Sequence, residues 1–298
     1  MSFFVKYVHW AVQTMPAPSD ISRQTDGRDQ RAYLTGRSEN SIVYSVHLNI
    51  QHVCISCASA CAVQGVFHQI GGCTMGFEGF SKEALRFLLE NRMNNNREWY
   101  EAHKDEYRKY VYEPFVELVK ALAPSMKEID DGIITVPSKI ISRVRRDTRF
   151  TKDKSLYRDN AWIVFLRDKS QMSVSPCFWF ELGQHGISYG VGYYKAQNAS
   201  MAKMREIILE RHPSFLAALK AYEGQDEFVL GGENYKRPRY PDQPDNIRQW
   251  LNRKNIYFEN GRRDFGPAFS AGLPDMLING FRKLKQVYDF LLFVESSV

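Results

Sequence analysis

Apolar residues recur at helical spacing from the eighties onward. Ala84, Leu85, Leu88 and Leu89 fall on one stripe behind Ser81, which can cap the first turn, and predict a helix through about Met93. Asn94, Asn95 and Asn96 break it, because asparagine favours turns and caps. A second helix follows, with Trp99, Tyr100, Tyr107 and Val111 as candidate buried positions. Pro114 kinks or restarts it, and Phe115, Leu118, Val119 and Leu122 carry an apolar face to Pro124. The period then changes. Ile133 to Val136, Ile140 to Arg146, Ala161 to Arg167, Cys177 to Leu182 and Ile187 to Tyr194 read as strands. D-K-S-Q at 168–171 and G-Q-H-G at 183–186 are turn signals between them, so the pairing is antiparallel. Helical patterns return at about 199–211, 214–222 and 245–254, with loops at 231–234 and 238–244. A last helix from about Pro274 has Leu277, Phe281, Leu284, Tyr288 and Leu291 as its seam. Helices, then strands, then helices predict an α+β fold: an antiparallel β-sheet flanked by N-terminal and C-terminal helices.

Residues 1–74 break this pattern. They hold one lysine, Lys6, four histidines and four of the five cysteines, with no sustained period. The division predicted is 1–74, a poorly ordered extension that need not belong to the native protein, and 75–298, a single α+β domain beginning at Met75. Cys54, Cys57, Cys61 and Cys73 have a spacing compatible with a metal, but they sit in an alanine- and serine-rich run, and chance cysteines are the better reading. No metal site is expected, and no cofactor can be assigned. No run of eighteen apolar residues occurs, so no membrane partner is expected. The opening residues lack a basic region before their apolar run and a clean small-residue cleavage site, so no secretory signal is read there. Cys177 is the one cysteine of the second region, which fits a reducing compartment. The location expected is cytoplasmic, with nuclear and organellar sites left open.

Charge sharpens the picture. The chain carries a net charge of +6, and Lys139 to Arg158 alone holds eight basic and two acidic residues. The positive charge is therefore local, and a local charge attracts anions. If the stretch is extended up to Arg146, Arg143 and Arg145 share a face with roots roughly 7 Å apart. Two guanidinium forks at that spacing can grip a phosphate or carboxylate from both sides. Arg146 and Arg149 extend the patch, Lys152 and Lys154 add point charges, and Tyr157 adds a ring and a hydroxyl. Arg97, in a first helical turn where the dipole disfavours it, is expected to face the same site. Phe150, Tyr157 and Trp162 interleave with the charges and can stack on bases. The opposing reading is a solvated hairpin whose arginines pair with Asp147, Asp153 and Asp159.

Other chemistry is sparse. Glu181 is unexpected in an aromatic strand, where it can serve as a base or metal ligand, although facing solvent or pairing with arginine is the better expectation. Asp147 is the other weak catalytic candidate. His103 and His185 lack spaced partners, and Cys177 reads as packing. Gly190 and Gly192 do not form a dinucleotide fingerprint, and no P-loop, G-x-S-x-G or H-E-x-x-H occurs.

N-N-N-R-E-W-Y-E-A-H-K-D-E-Y at 94–107 and R-V-R-R-D-T-R-F-T-K-D-K-S-L-Y at 143–157 are long and unusual. With F-W-F-E-L-G at 178–183 and the region from Y-K-R-P at 235–238 to Y-D-F-L at 288–291, they resemble the domain-of-unknown-function 2461 family of bacteria and fungi. The resemblance covers roughly 77–293 and none of 1–74. That family commonly has phenylalanine where this chain has Tyr100. The resemblance implies domain limits and brings no activity with it. Function therefore rests on the residues. The leading expectation is an anion-binding domain for a phosphate-bearing small molecule or nucleic acid. One alternative is an enzyme acting on a phosphorylated or carboxylated small molecule, with Asp147 or Glu181 moving a proton or holding magnesium. The other is a structural or protein-interaction module.

Overall fold

The computed structural model describes residues 76–149 and 152–298. The expected extension 1–74, its four cysteines and Phe150 lie outside the described residues. Helix α1 (Lys82–Asn94) ends at Asn95, which takes the left-handed conformation at φ 45° and donates its backbone N–H to the Asn91 carbonyl. Asparagine tolerates that conformation better than most residues, so the triple-asparagine break has a local cause. Asn96 then caps α2 (Arg97–Ala102), its side chain accepting from the Trp99 N–H at 2.7 Å. A short turn α3 (Lys104–Glu106) leads into a π-helical segment (Tyr107–Tyr112) and on into α4 (Glu113–Ile129). Pro114 lies in the first turn of α4, where its missing N–H costs least.

The sheet has five strands: β1 (Ala161–Phe165), β2 (Pro176–Gly183), β3 (Gly186–Tyr193), β4 (Val229–Gly231) and β5 (Tyr257–Arg262). Their order is β1-β2-β3-β5-β4, and every pairing is antiparallel. The β2–β3 turn is the predicted one, with Gly183 opposite Gly186. Gly186 has φ +139°, and a Cβ there would lie 1.8 Å from the Arg262 carbonyl oxygen. The remaining helices are α5 (Pro137–Ile140), α6 (Asn198–Leu209), α7 (Pro213–Glu223), α8 (Asp245–Leu251), α9 (Leu273–Lys283) and α10 (Lys285–Ser296).

The aromatic contacts seat helices from both ends of the domain on one face of the sheet. Phe180 meets Phe80 and Phe115, while Phe178 meets Phe281 and Tyr288. All six rings are buried, and burial of such rings is the main stabilising term. The α+β architecture is the one the sequence predicts.

Some elements differ from expectation. Residues 133–136 form no strand: the Ile134 N–H reaches the Leu166 carbonyl at 2.9 Å, and Pro137 then starts a helical turn. Residues 141–146 pair only through isolated bridges. Helix α4 does not stop at Pro124 but continues to Ile129, because Met126 and Ile129 are needed in the core. The last helix divides at Leu284 into α9 and α10. Strands β4 and β5 have no counterpart in the expected elements.

Candidate functional site

The basic stretch folds into an irregular hairpin on the edge of β1. The Ser142 N–H donates to the Trp162 carbonyl at 2.8 Å, the Arg158 N–H to Val144 at 3.0 Å and the Arg146 N–H to Leu156 at 2.8 Å. Arg145 bridges Tyr157. Aspartates shape the tip: Asp147 accepts from the Arg149 N–H at 3.2 Å and Asp153 from the Ser155 N–H at 3.0 Å. Both are aspartate turns, a local side-chain substitute for a backbone turn.

The asparagine motif holds the returning arm. Asn95 Oδ1 accepts from the N–H groups of Leu156 and Tyr157, and Asn91 Nδ2 donates to the Arg158 carbonyl at 3.2 Å. Tyr100 stacks on Tyr157 with ring centroids 4.7 Å apart. The two sequence motifs that stand out in the chain are therefore two halves of one structure.

The charged candidates divide into two groups. Arg146 is engaged inside the hairpin, with Asp153 and with Ser155 Oγ at 2.5 Å, and Arg92 also reaches Asp153, at 3.4 Å. The two Ser155 hydrogen bonds and the ion pairs hold the Asp153 carboxyl well below its ordinary range. Arg149 chelates Asp147 at 2.7 Å, which depresses that carboxyl to about 2 and leaves it a poor proton carrier near neutrality. Lys154 donates to the Thr148 carbonyl at 2.9 Å, and Tyr157 is buried under Tyr100. These four candidates build the hairpin, as the solvated-hairpin reading anticipated for its arginines. Arg97, Arg143, Arg145 and Lys152 are exposed and have no hydrogen-bond or ion-pair partner for their side chains among the described residues. Opposed residues of an antiparallel pair project to the same side, so Arg145 leaves the hairpin on the side of Tyr157. Arg97 lies one turn before Tyr100, on the same face of α2.

Glu181 corrects an expectation. It neither faces solvent nor pairs with an arginine within ion-pair distance: it is 7% exposed and accepts from Asn160 Nδ2. Burial pushes its carboxyl up to about 7. The Asn160 hydrogen bond opposes that, the neighbouring carboxylates Glu259 and Asp159 add to it, and Arg158 offsets part. Residues of the same register row project together, and this row runs from Trp162 through Glu181 and Ser188 to Gly261. Its face is the one opposite Phe178 and Phe180, away from the helices those rings meet. The Arg158 guanidinium lies 4.3 Å from the Trp162 ring centroid, and its Nε donates to the Arg143 carbonyl at 3.1 Å. The row is thereby joined to the basic hairpin, a link the sequence does not display.

The remaining singletons have structural roles. His103 Nδ1 lies 2.7 Å from the Trp99 carbonyl oxygen, and its ring stacks on Trp99. Cys177 is buried, and burial pushes its thiol up to about 12. Among the described residues no group of three or more His, Cys, Asp or Glu side chains is placed to hold a metal ion, and no helix is long and apolar enough to cross a membrane.

A search of curated proteins found no match. The description "Conserved hypothetical protein (DUF2461)" belongs to a family model that matches residues 83–290, a span containing the asparagine motif, the basic hairpin and all five strands. The chain is a member of that family.

Proposed function

We propose that the domain binds a phosphate-bearing ligand through the outer surface of the basic hairpin. The observation that carries this reading is the pair Arg143 and Arg145, exposed and without ion-pair partners among the described residues, on a hairpin already fixed by Arg146, Asp153, Asn91 and Asn95. Fixing the scaffold beforehand reduces the ordering cost of binding. Arg97 adds charge from α2 and Lys152 from the tip of the hairpin, and the working set narrows to Arg97, Arg143, Arg145 and Lys152. A nucleotide or nucleic acid suits this set, and a cytoplasmic place of action is part of the reading.

The test is binding of nucleotides and short single strands to the full chain across a salt series. Each phosphate contact contributes about 0.7 to the slope of log K against log salt for single strands. The Arg143→Ala/Arg145→Ala variant should bind at least tenfold more weakly and with a shallower slope. Unchanged binding in a variant that melts normally would end the proposal.

A second reading, an enzyme acting on a phosphorylated or carboxylated small molecule, is favoured by one observation. Glu181 titrates near neutrality beside Arg158, as a general acid or base does. Turnover of a phosphate ester that disappears in Glu181→Leu, while binding persists, would select it.

A further inference from the structure

We propose that Tyr100 and Tyr157 complete the anion site with their hydroxyls, and that the group bound there is a terminal phosphate. That group is the monoester of a free nucleotide or of a phosphorylated strand end, in preference to an internal phosphodiester. This rests on the reading of Arg143 and Arg145 as the phosphate contacts.

Register puts these groups on one side of the sheet. Ile141 bridges Ile163, and Ile163 pairs with Phe180, whose ring meets Phe115 of α4. Residues two apart on an extended arm share a face, so Arg143 and Arg145 leave the arm on that helical side. Arg145 is bridged to Tyr157, and opposed residues project together. Tyr100 stacks on Tyr157 with ring centroids 4.7 Å apart, and Arg97 lies one turn before Tyr100 on α2. Tyr157 is 5% exposed, yet its hydroxyl has no hydrogen-bond partner among the described residues and is not one of their fully buried unpartnered atoms. The ring is packed and the hydroxyl opens to the surface. The Tyr100 hydroxyl stands in the same position, without a partner and not fully buried. Burial raises it above its ordinary value, and Tyr157 and Glu101 add to the shift, so at neutral pH it keeps its proton and donates. Glu101 is exposed one turn beyond Arg97 and forms no ion pair with it among the described residues, which leaves the Arg97 guanidinium available.

The supply of donors selects the ligand. Arg143 and Arg145 each present a bidentate fork, Arg97 adds a third, and each tyrosine adds one O–H. A phosphodiester inside a strand offers two unshared oxygens and a single charge, which leaves donors of this set unused. A phosphate monoester offers three strong acceptor oxygens and a charge of about −1.5 to −2 at neutral pH. The two kinds of donor also answer to different things. A guanidinium is attracted by the charge of any phosphate. A neutral hydroxyl gains only where an oxygen is placed beside it, so the tyrosines reward the extra oxygen and not the extra charge.

The experiment is calorimetric titration of the full chain at about pH 7.5, where a monoester carries nearly its full second charge. The probes are adenosine 5′-monophosphate, the methyl ester of its phosphate, and a short single-stranded oligonucleotide with and without a 5′-phosphate. The monophosphate should bind the wild-type protein tenfold or more tightly than its methyl ester, a difference of about 1.4 kcal/mol. Tyr100→Phe/Tyr157→Phe keeps both stacked rings; it should erase most of that margin and leave binding of the methyl ester unchanged. A margin that survives the phenylalanine variant comes from charge alone and overturns the proposal. So does a methyl ester that binds the wild-type protein as tightly as the monophosphate, or an oligonucleotide indifferent to its 5′-phosphate; each leaves the hairpin reading standing. Tighter binding of the phosphorylated oligonucleotide than of the monophosphate puts the terminal phosphate on a strand end. Equal or weaker binding puts it on a free nucleotide, and both results uphold the proposal. Monophosphate and methyl ester binding both untouched in Arg143→Ala/Arg145→Ala overturns the hairpin reading and this inference with it. No binding of any probe overturns both.

Discussion

Replacing Glu181 by glutamine should stabilise the protein at alkaline pH and change little at acid pH. Burial moves this carboxyl from an ordinary value of 4.5 to about 7. The folded protein therefore holds a proton that the unfolded chain releases between these values, and stability must fall as pH rises through that window. Below about 4.5 the group is protonated in both states and the favourable contribution is fully present; above about 7 it is lost. Every pH unit crossed between the two values removes about 1.4 kcal/mol, so the whole window spans about 3 kcal/mol. Glutamine keeps the shape and does not titrate. Urea unfolding of both proteins at a series of pH values from 4 to 8.5 should show the stability of Glu181→Gln minus that of wild type growing by about 3 kcal/mol. For a domain of this size the same difference is about 6–12 °C in Tm. The depressed carboxyls Asp147 and Asp153 act in the opposite sense, lose their contribution only as pH falls below the ordinary aspartate value, and are common to both proteins. A difference that stays flat between pH 5 and 8 would refute the reasoning, because it would mean that Glu181 is ionised in the fold without penalty.

Asn95→Ala should cost about 1–3 kcal/mol, because it strands the N–H groups of Leu156 and Tyr157, and amide hydrogen exchange at those two residues should accelerate. Phe180→Ala should cost about 3–5 kcal/mol in denaturant unfolding, since the ring is fully buried against Phe80 and Phe115; a loss under 1 kcal/mol would contradict its central placement. Cys177 should stay unlabelled by a thiol reagent in the native protein, as read by mass mapping of its peptide, and label only on unfolding, because burial raises its thiol to about 12.

The sequence displays the parts of the fold that carry their own period. Strands β1 and β2 lie in apolar runs, β3 alternates apolar residues with glycine and serine, and all three are readable, as is the two-residue turn between β2 and β3. Strand β5 is not, because Y-F-E-N-G-R has only two apolar residues, and what holds it is its pairing with β3 and β4. Ile133 to Val136 mimics a strand because its isoleucines do pack against the core, but Pro137 interrupts any ladder. The charge of the hairpin is legible and its pairing is not. Arg146 pairs with Asp153 seven residues on, which spacing alone can suggest, but Arg92 reaches Asp153 from helix α1, and no local pattern foretells that. Glu181 stands out as odd in F-W-F-E-L-G. Its burial follows from the register with Trp162 and Ser188, a tertiary fact.

The grip of Asn91 and Asn95 on residues 156–158 also has a consequence for the order of assembly. The contacts join segments 61 to 67 residues apart, so the hairpin is positioned only after a long loop has closed. A nascent chain carries every one of the hairpin's arginines as soon as Arg158 has been made, yet presents them as a floppy polycation until α1 docks. A fragment beginning at α4 would keep the charge and lose the surface, so the proposed anion surface belongs to the closed loop and not to the basic segment.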